Sequence, residues 1–459
     1  MAAMLPTIAR CAQTVYLRIM PYPPMLHSAD AMRDFDALLA ARLRSEGPMN
    51  LPRAYDVMAE FDLDGLVLAE PVNVFHLLGY WPQLANTRTG QPPTSFALLA
   101  RDPRQGPGFV TSRFIYYYTY ADSGFTRDLQ VYLYQEASDS GDDSLATELG
   151  AEFPDAGLEP LSDVETRRRV ALDAATAMRA SSVNSGPALI RALRDMGLWR
   201  GRIAFDHPLI RTICTRHGHA GELLAGDNVL RWIRLVKSPL EIGLMQRAAA
   251  ANVAALTSVG RSIRAGANHA ELQRQFAIEA AQRGNHAVFL NVDRVSSELS
   301  SETIRDGQAF FLDGVSHCRH YHGDYARTVF VGEPRPAVRN AVRAAAQAWD
   351  AVREILRPGV RYADIVACGR DAVRRGGFAV TIGFGPHSVG LMHTDEPGED
   401  AGGFYRKLDL TLRENMILSV DCPVMNTGVG GSAHIEDLML ITRDGAEPLH
   451  VLADPVIQI

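Results

Sequence analysis

An internal repeat in the C-terminal half of the chain constrains its fold more than any other feature of the sequence. Residues 264–272 (RAGANHAEL) match residues 357–365 (RPGVRYADI), 93 residues later, and each match leads into a helical pattern that ends at a glycine, Gly284 or Gly377. Strand-like segments follow each helix, QAFFLDG and YARTVFVG in the first copy and ENMILSVDCPV and IEDLMLIT in the second. Two copies are too few for a solenoid, so the repeat predicts one pseudo-symmetric α+β domain whose halves share a core.

The first half of the chain follows a different pattern, in which short apolar strands alternate with helices. Four segments are typical of buried strands: residues 64–70 (DGLVLAE), 95–100 (SFALLA), 108–112 (GFVTS) and 202–206 (RIAFD). Residues 165–198 have a helical pattern. This alternation predicts an α/β domain over residues 51–230.

A helix start marks the boundary between the two halves. Ser238 occupies a helix N-cap position, Pro239 the first helical position, and Glu241 completes a capping box. We therefore expect a long helix to begin at Pro239 and place the domain boundary just before it. This gives a C-terminal domain over residues 231–459 and leaves residues 1–50 as an N-terminal extension.

The composition excludes several classes of protein. The formal net charge of −7 argues against the basic surface of a nucleic-acid-binding protein, and the sequence holds no apolar stretch of about 18 residues that would span a membrane. Arg10 and Arg18 interrupt the apolar N-terminus, which is not typical of a secretory signal. The cysteines lack CxxC pairs and fit a reducing compartment, so the sequence predicts a cytoplasmic protein; they are Cys11, Cys214, Cys318, Cys368 and Cys422.

Four carboxylates stand in or beside segments that should be buried strands. Asp313 ends the apolar run AFFLD, and Asp324 precedes YARTVFV. Asp421 interrupts MILSVDCPV, and Glu436 lies in HIEDLMLIT. A buried carboxylate is costly unless it is paired or coordinates a metal. A divalent metal centre explains all four together.

A glycine-rich loop over residues 383–400 (GFGPHSVGLMHTDEPGED) supplies the candidate imidazole. His387 has glycines on both sides, which allow a tight loop close to metals. His393 and Asp395 follow on the same loop, where they can reach a substrate. Oxygen ligands with one imidazole favour Mn, Fe(II), Co or Zn.

The segment between the first two aspartates is crowded with metal-binding residue types, and a zinc site there is an alternative. Its spacing, H-C-x-H-x-H, matches no common structural zinc pattern, and no partner CxxC exists. We interpret the segment as a hairpin at a pocket rim; its residues are His317, Cys318, His320 and His322.

Five ordered segments of the C-terminal half, together with one N-terminal segment, resemble a known family. They are KSPLEIGLMQRAA, FLDG…YHGDYARTVFVG, GPHSVGLMH, NMILSVDCPV and SAHIED, and NVFHLLGYWP in the first half. These are similar to the pita-bread superfamily, which includes methionine aminopeptidase, Xaa-Pro aminopeptidase, prolidase, creatinase and some dimethylsulfoniopropionate lyases. The resemblance covers residues 55–450. It implies the two-domain branch, with a creatinase-like N-terminal α/β domain before a pita-bread domain, and a homodimer.

The resemblance also implies a site with two divalent metal ions, Mn²⁺ before Fe, Co or Zn. The metals would activate a water for attack on an amide carbonyl. Glu436 or Asp421 would shuttle the proton of that water, and His393 would bind or stabilise the oxyanion. The five ligands carried over by position are Asp313, Asp324, His387, Asp421 and Glu436.

The chain departs from the pattern of the family's peptidases at the residues that surround the ligands. Asp421 replaces a glutamate, Ser296 stands where a substrate-binding histidine is usual, and His434 stands where an arginine is common. The second loop histidine comes one residue early, so either His393 or Asp395 fills its place. The metal ligands are largely kept while the substrate contacts are altered.

The resemblance therefore predicts a dinuclear metal-dependent hydrolase similar to Xaa-Pro aminopeptidase and prolidase, which cleaves a C–N bond of a small substrate. Three alternatives stay open: a C–S lyase similar to dimethylsulfoniopropionate lyase with Asp395 or His393 as base, a creatinase-like amidinohydrolase, and a non-catalytic binding module. Tyr80 and Trp81 are either core aromatics or substrate walls, since in this branch the region often reaches the active site of a partner subunit.

Overall fold

A computed structural model describes residues 29–82, 92–135, 160–293, 299, 301–379, 384–400, 405–424, 428 and 430–459. These residues form two compact units. One comprises Ala40–Arg234, and the other comprises Leu235–Ile459 together with the described residues up to Leu39. The domain limits expected from the sequence, at residues 50 and 230, stay predictions. Within the described ranges, no helix is both long and apolar enough to cross a membrane.

The unit Ala40–Arg234 is built on a six-stranded mixed sheet. Its strands lie in the order β4-β3-β2-β1-β5-β6, and they are β1 (Gly65–Leu68), β2 (Ser95–Ala100), β3 (Gly108–Ser112), β4 (Gln130–Tyr134), β5 (Ile203–Phe205) and β6 (Leu223–Ala225). The helices, in chain order after α1 (Ala29–Glu46), are α2 (Leu51–Glu60), α3 (Pro71–Leu78), α4 (Arg113–Ile115, continued by a π-helical turn over Tyr116–Tyr120), α5 (Asp163–Met178), α6 (Ser185–Asp195), α7 (Pro208–Arg216) and α8 (Asp227–Arg234). The four strands expected from the sequence are confirmed.

The sheet is apolar on both faces. Every residue of β1 is buried, and neighbouring side chains enter different cores: Leu66 and Leu68 pack in one apolar cluster and Val67 in another. Helices cover both faces of such a sheet, so its central strand is a continuous apolar run without alternation. This is why GLVL can be recognised as a strand from sequence.

The helical pattern over residues 165–198 forms two helices instead of one. The chain leaves α5 at Arg179, and Ser182 exchanges backbone hydrogen bonds with strand β4, donating to the Leu133 carbonyl. Asn184 then caps α6 by accepting a hydrogen bond from the backbone N–H of Gly186. The break exists because this short segment pairs with the sheet edge.

Tyr80 is a core aromatic within its own unit. It is buried, its hydroxyl lies 2.6 Å from Thr119 Oγ1, and its ring packs 5.5 Å from Phe109 and 5.4 Å from Tyr120. Trp81 is half-buried. Of the two aromatics considered as substrate walls, Tyr80 is buried and Trp81 is partly exposed.

The other unit contains the same arrangement twice: two helices followed by a series of strands. The first copy comprises α9 (Pro239–Ser262), α10 (His269–Gln282), β7 (His286–Val292), β8 (Ala309–Cys318) and β9 (Tyr321–Phe330). The second comprises α11 (Pro336–Ile355), α12 (Tyr362–Arg375), β10 (Gly385–Ser388), β11 (Gly398–Asp400), β12 (Tyr405–Lys407), β13 (Ile417–Val424), β14 (Ala433–Ile435), β15 (Met439–Ile441), β16 (Ala446–Pro448) and β17 (Val456–Gln458). One sheet has the order β17-β9-β8-β7 and the other β10-β13-β15-β16, with β14 also paired to β13 and a separate pair β11-β12. The predicted duplication of helices and strands is confirmed.

The start of α9 is fixed by the capping box that the sequence predicts. Ser238 Oγ accepts from the Glu241 backbone N–H at 3.1 Å, and the Ser238 N–H donates to Glu241 Oε2 at 2.7 Å. Glu241 also accepts a hydrogen bond from the Tyr321 hydroxyl at 3.1 Å, which ties the helix to β9. Gly323 allows the close approach, since a Cβ there would lie 2.8 Å from the Ala248 carbonyl oxygen.

Candidate metal centre

The β8–β9 hairpin brings two of the predicted ligands to one face. Asp313 and Val315 point to the same side of β8 because side chains alternate along a strand. Val315 lies directly opposite Asp324 in the antiparallel register. The carboxylates of Asp313 and Asp324 therefore share a face, as the sequence predicts.

Strands β10 and β13 position the next two predicted ligands, His387 and Asp421. His387 pairs with Ser419 and Gly385 pairs with Asp421, so the side chains of His387, Ser419 and Asp421 share one face. A Cβ on Gly385 would lie 2.7 Å from Asp421 Oδ2. Glycine is needed here because the carboxylate lies against its backbone.

A backbone bridge between the two sheets positions the fifth predicted ligand, Glu436. The Glu436 N–H donates to the Ala326 carbonyl at 3.1 Å, and the Ala326 N–H donates to the Glu436 carbonyl at 3.3 Å. Two side-chain hydrogen bonds orient the carboxylates: Ser419 Oγ donates to Glu436 Oε1 at 2.6 Å, and Asn291 Nδ2 donates to Asp313 Oδ2 at 2.9 Å. Such contacts outside the ligand set fix the direction of metal-binding oxygens.

The structure gathers all five predicted ligands into one cluster and adds two histidines. The Nε2 atom of His387 lies 3.6 Å from Asp324 Oδ2, 3.7 Å from Glu436 Oε1 and 4.0 Å from Asp421 Oδ2. Three sets of ligand atoms lie within 4.8 Å of one another: Asp324, His387 and His393; Asp313, His434 and Glu436; and His387, Asp421 and Glu436. Asp421 and Glu436 lie between the two ends of the cluster.

Asp324 shows that the cluster fits divalent metals. Its side chain is fully buried, and neither carboxylate oxygen has a hydrogen-bond partner among the described residues. Burial first, and the charge of Glu436 second, raise its pKa well above the usual value, and the same causes raise the pKa of Asp313 to about 8. Buried carboxylate oxygens without a hydrogen-bond partner need a cation, and oxygen with imidazole is a donor set that divalent transition metals accept.

The two imidazoles that face Glu436 oppose these shifts. Burial lowers the pKa of both, but contacts with Glu436 and Asp421 raise the pKa of both His387 and His434 above the usual value, and Asp324 adds to the shift of His387. Burial likewise disfavours the Glu436 carboxylate, yet His387 and His434 hold its pKa well below the usual range. The cluster therefore keeps one carboxylate ionised beside two whose ionised forms require a cation.

His393 lies at the open side of the cluster. Its Nε2 atom is 3.2 Å from Asp324 Oδ2, its ring packs at a right angle to Phe289 at 5.4 Å, and its side chain is about a third exposed. It is the predicted substrate-facing residue that the structure brings both to the ligands and to the surface.

Asp395 lies elsewhere on the same loop. Its carboxylate is buried and accepts a hydrogen bond from the Leu391 N–H at 3.2 Å, while its own N–H donates to the Ser388 carbonyl at 2.8 Å. It belongs to none of the three sets of ligand atoms among the described residues. The carboxylate holds the loop, and a role as base stays a prediction.

The histidine-rich segment forms the end of the hairpin. Arg319 and His320 make a two-residue turn with φ of 47° and 68°. Three further imidazoles lie side by side across strands β7, β8 and β9. The ring of His317 lies 5.2 Å from that of His286 and 5.4 Å from that of His322, measured between ring centroids. Burial, followed by the neighbouring histidines, lowers the pKa of His320 and of His322 to about 4. The rings of His320 and His322 are therefore uncharged at neutral pH. His317 and His322 lie two residues further towards the turn than Val315 and the predicted ligand Asp324.

The sequence placed His434 among the residues around the ligands but did not predict that its Nε2 atom faces two carboxylates, and it did not identify Ser419. Both residues precede a predicted ligand by two positions and so share its strand face, a signal that was available. Outside the site, the contact of His286 with His317 depends on the register of β7, which no local pattern reveals. Ser296 lies outside the described residues.

Comparison with known families agrees with this arrangement. Residues 243–443 match the profile of metallopeptidase family M24. The probable dipeptidase PepE of Mycobacterium tuberculosis is 29% identical over 233 residues, which cover 49% of this chain and 60% of that protein. The Xaa-Pro dipeptidase of Pyrococcus horikoshii is 23% identical over 234 residues, covering 49% and 64%. The match thus spans less than two thirds of the length of these relatives.

Solved structures extend the similarity to both units. The Xaa-Pro dipeptidase from Bacillus anthracis superposes with a TM-score of 0.61 at 16% identity, covering 89% of this chain and 98% of that one. Dipeptidase PepE from Mycobacterium ulcerans gives 0.58 at 19%, covering 92% and 99%. At these identities the likeness shows the fold, and it confirms the predicted two-domain pita-bread architecture. Residues 243–443 of this chain form a domain of metallopeptidase family M24.

Proposed function

We propose that the protein is a dinuclear metal-dependent hydrolase that cleaves the amide bond of a dipeptide or a similarly short peptide, in the manner of an Xaa-Pro dipeptidase. The observation that carries this proposal is the buried Asp324 carboxylate, whose two oxygens lack hydrogen-bond partners among the described residues and face an imidazole 3.6 Å away. Relatives in the same family that are named dipeptidase and Xaa-Pro dipeptidase support the choice of substrate class.

The proposed ligand set follows the geometry of the cluster. Asp324 and His387 stand at one end and Asp313 at the other, while Asp421 and Glu436 lie within reach of both. Mn²⁺ is the first choice for the two ions, with Fe(II), Co(II) and Zn²⁺ as alternatives, because carboxylate oxygens predominate. When bound, such a pair of ions activates a water and polarises the substrate carbonyl.

Side chains of this chain carry out the remaining chemical steps. Glu436, oriented by the hydrogen bond from Ser419, accepts the proton of the attacking water and returns it to the leaving nitrogen. His393, at the open side of the cluster, donates a hydrogen bond to the carbonyl oxygen as negative charge develops on it.

The assembly and location also belong to the proposal. A homodimer in the cytoplasm is expected from the two-domain branch that the sequence resembles and from the dispersed cysteines. Trp81 would then be available to a partner subunit's substrate.

The lyase alternative rests on the altered residues around the ligands, in particular Ser296 in place of a substrate-binding histidine. Because the Asp395 carboxylate is engaged by the loop backbone, His393 is the better candidate for the base of that reaction. The two functions differ in product: a dipeptidase releases an amino acid, whereas the lyase releases dimethyl sulfide from dimethylsulfoniopropionate.

One experiment separates these functions. The Mn²⁺-loaded protein is incubated with a proline-containing dipeptide and, separately, with dimethylsulfoniopropionate, alongside Asp324→Asn, His387→Ala and the control His286→Gln. We expect free amino acids from the wild type and the control, and none from the two site variants. Release of dimethyl sulfide alone, or full peptidase activity in both site variants, would contradict the proposal.

A further inference from the structure

His434 stands among the carboxylates of the cluster much as His387 does. Its Nε2 atom lies 3.5 Å from Asp421 Oδ1 and 3.5 Å from Glu436 Oε2, and the residue groups with Asp313 and Glu436 in one set of possible ligands. The corresponding distances for His387 are 3.6 to 4.0 Å. The cluster therefore has an imidazole at each end.

The spacing distinguishes two roles for this imidazole. A charge-assisted hydrogen bond from nitrogen to a carboxylate oxygen measures about 2.7–2.9 Å. Two atoms that ligate one ion at about 2.0–2.2 Å lie roughly 3–3.5 Å from each other. The two distances of 3.5 Å from His434 Nε2 match atoms that share an ion.

The backbone and neighbours of His434 hold the ring in this direction. Its N–H donates to Thr328 Oγ1 at 3.1 Å, and the Thr328 hydroxyl donates back to its carbonyl at 3.3 Å. The ring packs at a steep angle on Phe311, with centroids 5.3 Å apart, and the residue is buried. An imidazole fixed in this way points its Nε2 at the carboxylates without any rearrangement.

The residue type decides what this position can do. The arginine common here in the resembling peptidases carries a permanent charge and no free lone pair, so it can only neutralise carboxylates. A neutral imidazole offers a lone pair to a metal. Replacing one by the other exchanges a fixed cation for a potential ligand.

We propose that His434 is a sixth ligand of the dinuclear centre, coordinating through Nε2 the ion held by Asp313 and Glu436. The inference rests on the proposed metal centre and assigns one imidazole to each ion. Because imidazole suits Zn²⁺ and Fe(II), a second imidazole strengthens the binding of these ions at the Asp313 end relative to Mn²⁺.

The substitution His434→Arg tests this role because it keeps a cation and removes the lone pair. In the Co(II)-loaded protein, each ligating histidine gives one strongly shifted, solvent-exchangeable N–H proton in the NMR spectrum, and the Nδ1 atoms of both His387 and His434 are buried from solvent. We expect two such signals. His434→Arg and His434→Gln should each lose one, His387→Gln the other, and the control His286→Gln neither.

Metal titration gives a second, independent readout. His434→Arg should weaken the binding of one equivalent of Zn²⁺ at least about tenfold, while the preference for Mn²⁺ over Zn²⁺ rises. Circular dichroism of each variant verifies that the fold is kept. A wild-type protein with one shifted signal, together with unchanged Zn²⁺ affinity in His434→Arg, would overturn the inference but leave the metal centre standing. A wild-type protein that binds no Co(II) or Zn²⁺ would overturn both.

Discussion

The Nε2 atom of His393 lies 3.2 Å from the Oδ2 atom of Asp324, although Asp324 lies in strand β9 and His393 in the loop after strand β10, with helices α11 and α12 between them in the chain. A partly exposed imidazole is thus held next to a buried carboxylate. This is the point at which a substrate carbonyl entering the cluster would meet both a hydrogen-bond donor and the ligands.

His393 should contribute to turnover without holding a metal. We expect His393→Ala to lower kcat about 100-fold, the usual cost of losing one donor to a developing oxyanion, with little change in metal content. Steady-state kinetics and metal analysis of the same preparation check this. Unchanged kcat, or loss of one metal equivalent, would show that the histidine has another role.

The buried pair of Arg327 and Asp437 should be essential to stability. Arg327 Nη2 lies 2.6 Å from Asp437 Oδ1, both side chains are almost fully buried, and Trp349 Nε1 donates to Asp437 Oδ2 at 2.8 Å. Asp437→Asn leaves the guanidinium without its counter-charge, so we expect a loss of about 3–5 kcal/mol in the free energy of unfolding. Urea denaturation measures it, and Asp444→Asn, at an exposed aspartate, is the control. A loss no larger than that of the control would mean that the pair is not stabilising.

Gly323 should be intolerant of a methyl group. A Cβ at this position would meet the Ala248 carbonyl oxygen at 2.8 Å, whereas a Cβ on Gly445 would meet nothing within 4 Å. Gly323→Ala should therefore destabilise the protein by about 1–3 kcal/mol through overpacking, and Gly445→Ala should not. Equal unfolding midpoints for the two variants would contradict the packing of α9 on the hairpin.

Acid should destabilise the protein through His320. Burial lowers the pKa of this ring to about 4, below its ordinary value of 6.5. Between these values the unfolded chain binds more protons than the folded one, so the free energy of unfolding falls as pH drops through this window. After allowance for the exposed part of the ring, we expect His320→Gln to remove roughly 1–2 kcal/mol of this pH dependence. Thermal melts of the metal-free protein between pH 7 and pH 4 measure it; a slope identical to that of wild type, with the exposed His217→Gln as control, would contradict the assignment.

Much of the fold follows from local chemistry. The repeat at residues 264 and 357 predicts the duplicated helices, and the Ser238–Glu241 capping box predicts the start of α9 to the residue. The apolar run GLVL predicts β1 because a strand buried on both faces does not alternate. These features are visible because their cause lies within a few neighbouring residues.

The parts that the sequence does not reveal depend on contacts between distant residues. His434 shares a strand face with Glu436, but both residues reach Asp313 and Asp324 only because the backbone of Glu436 pairs with Ala326, a bridge between the two sheets. His286 reaches His317 through the register of β7, which is interrupted by an irregularity between Ala287 and Phe289. The helical pattern over residues 165–198 does not predict the backbone pairing of Ser182 with β4. In each case the position of the residue is set by contacts with residues that are distant in the sequence.

Metal stoichiometry tests the central claim most directly. The purified protein is loaded with Mn²⁺ and freed of excess ions. Its metal content is measured by mass spectrometry and divided by the protein concentration, and Asp324→Asn is treated in parallel. The buried, unpartnered Asp324 carboxylate predicts two bound ions per chain in the wild type and a lower ratio in the variant. A wild-type protein that retains no stoichiometric divalent metal, or an Asp324→Asn variant that retains the same two ions, would contradict the account.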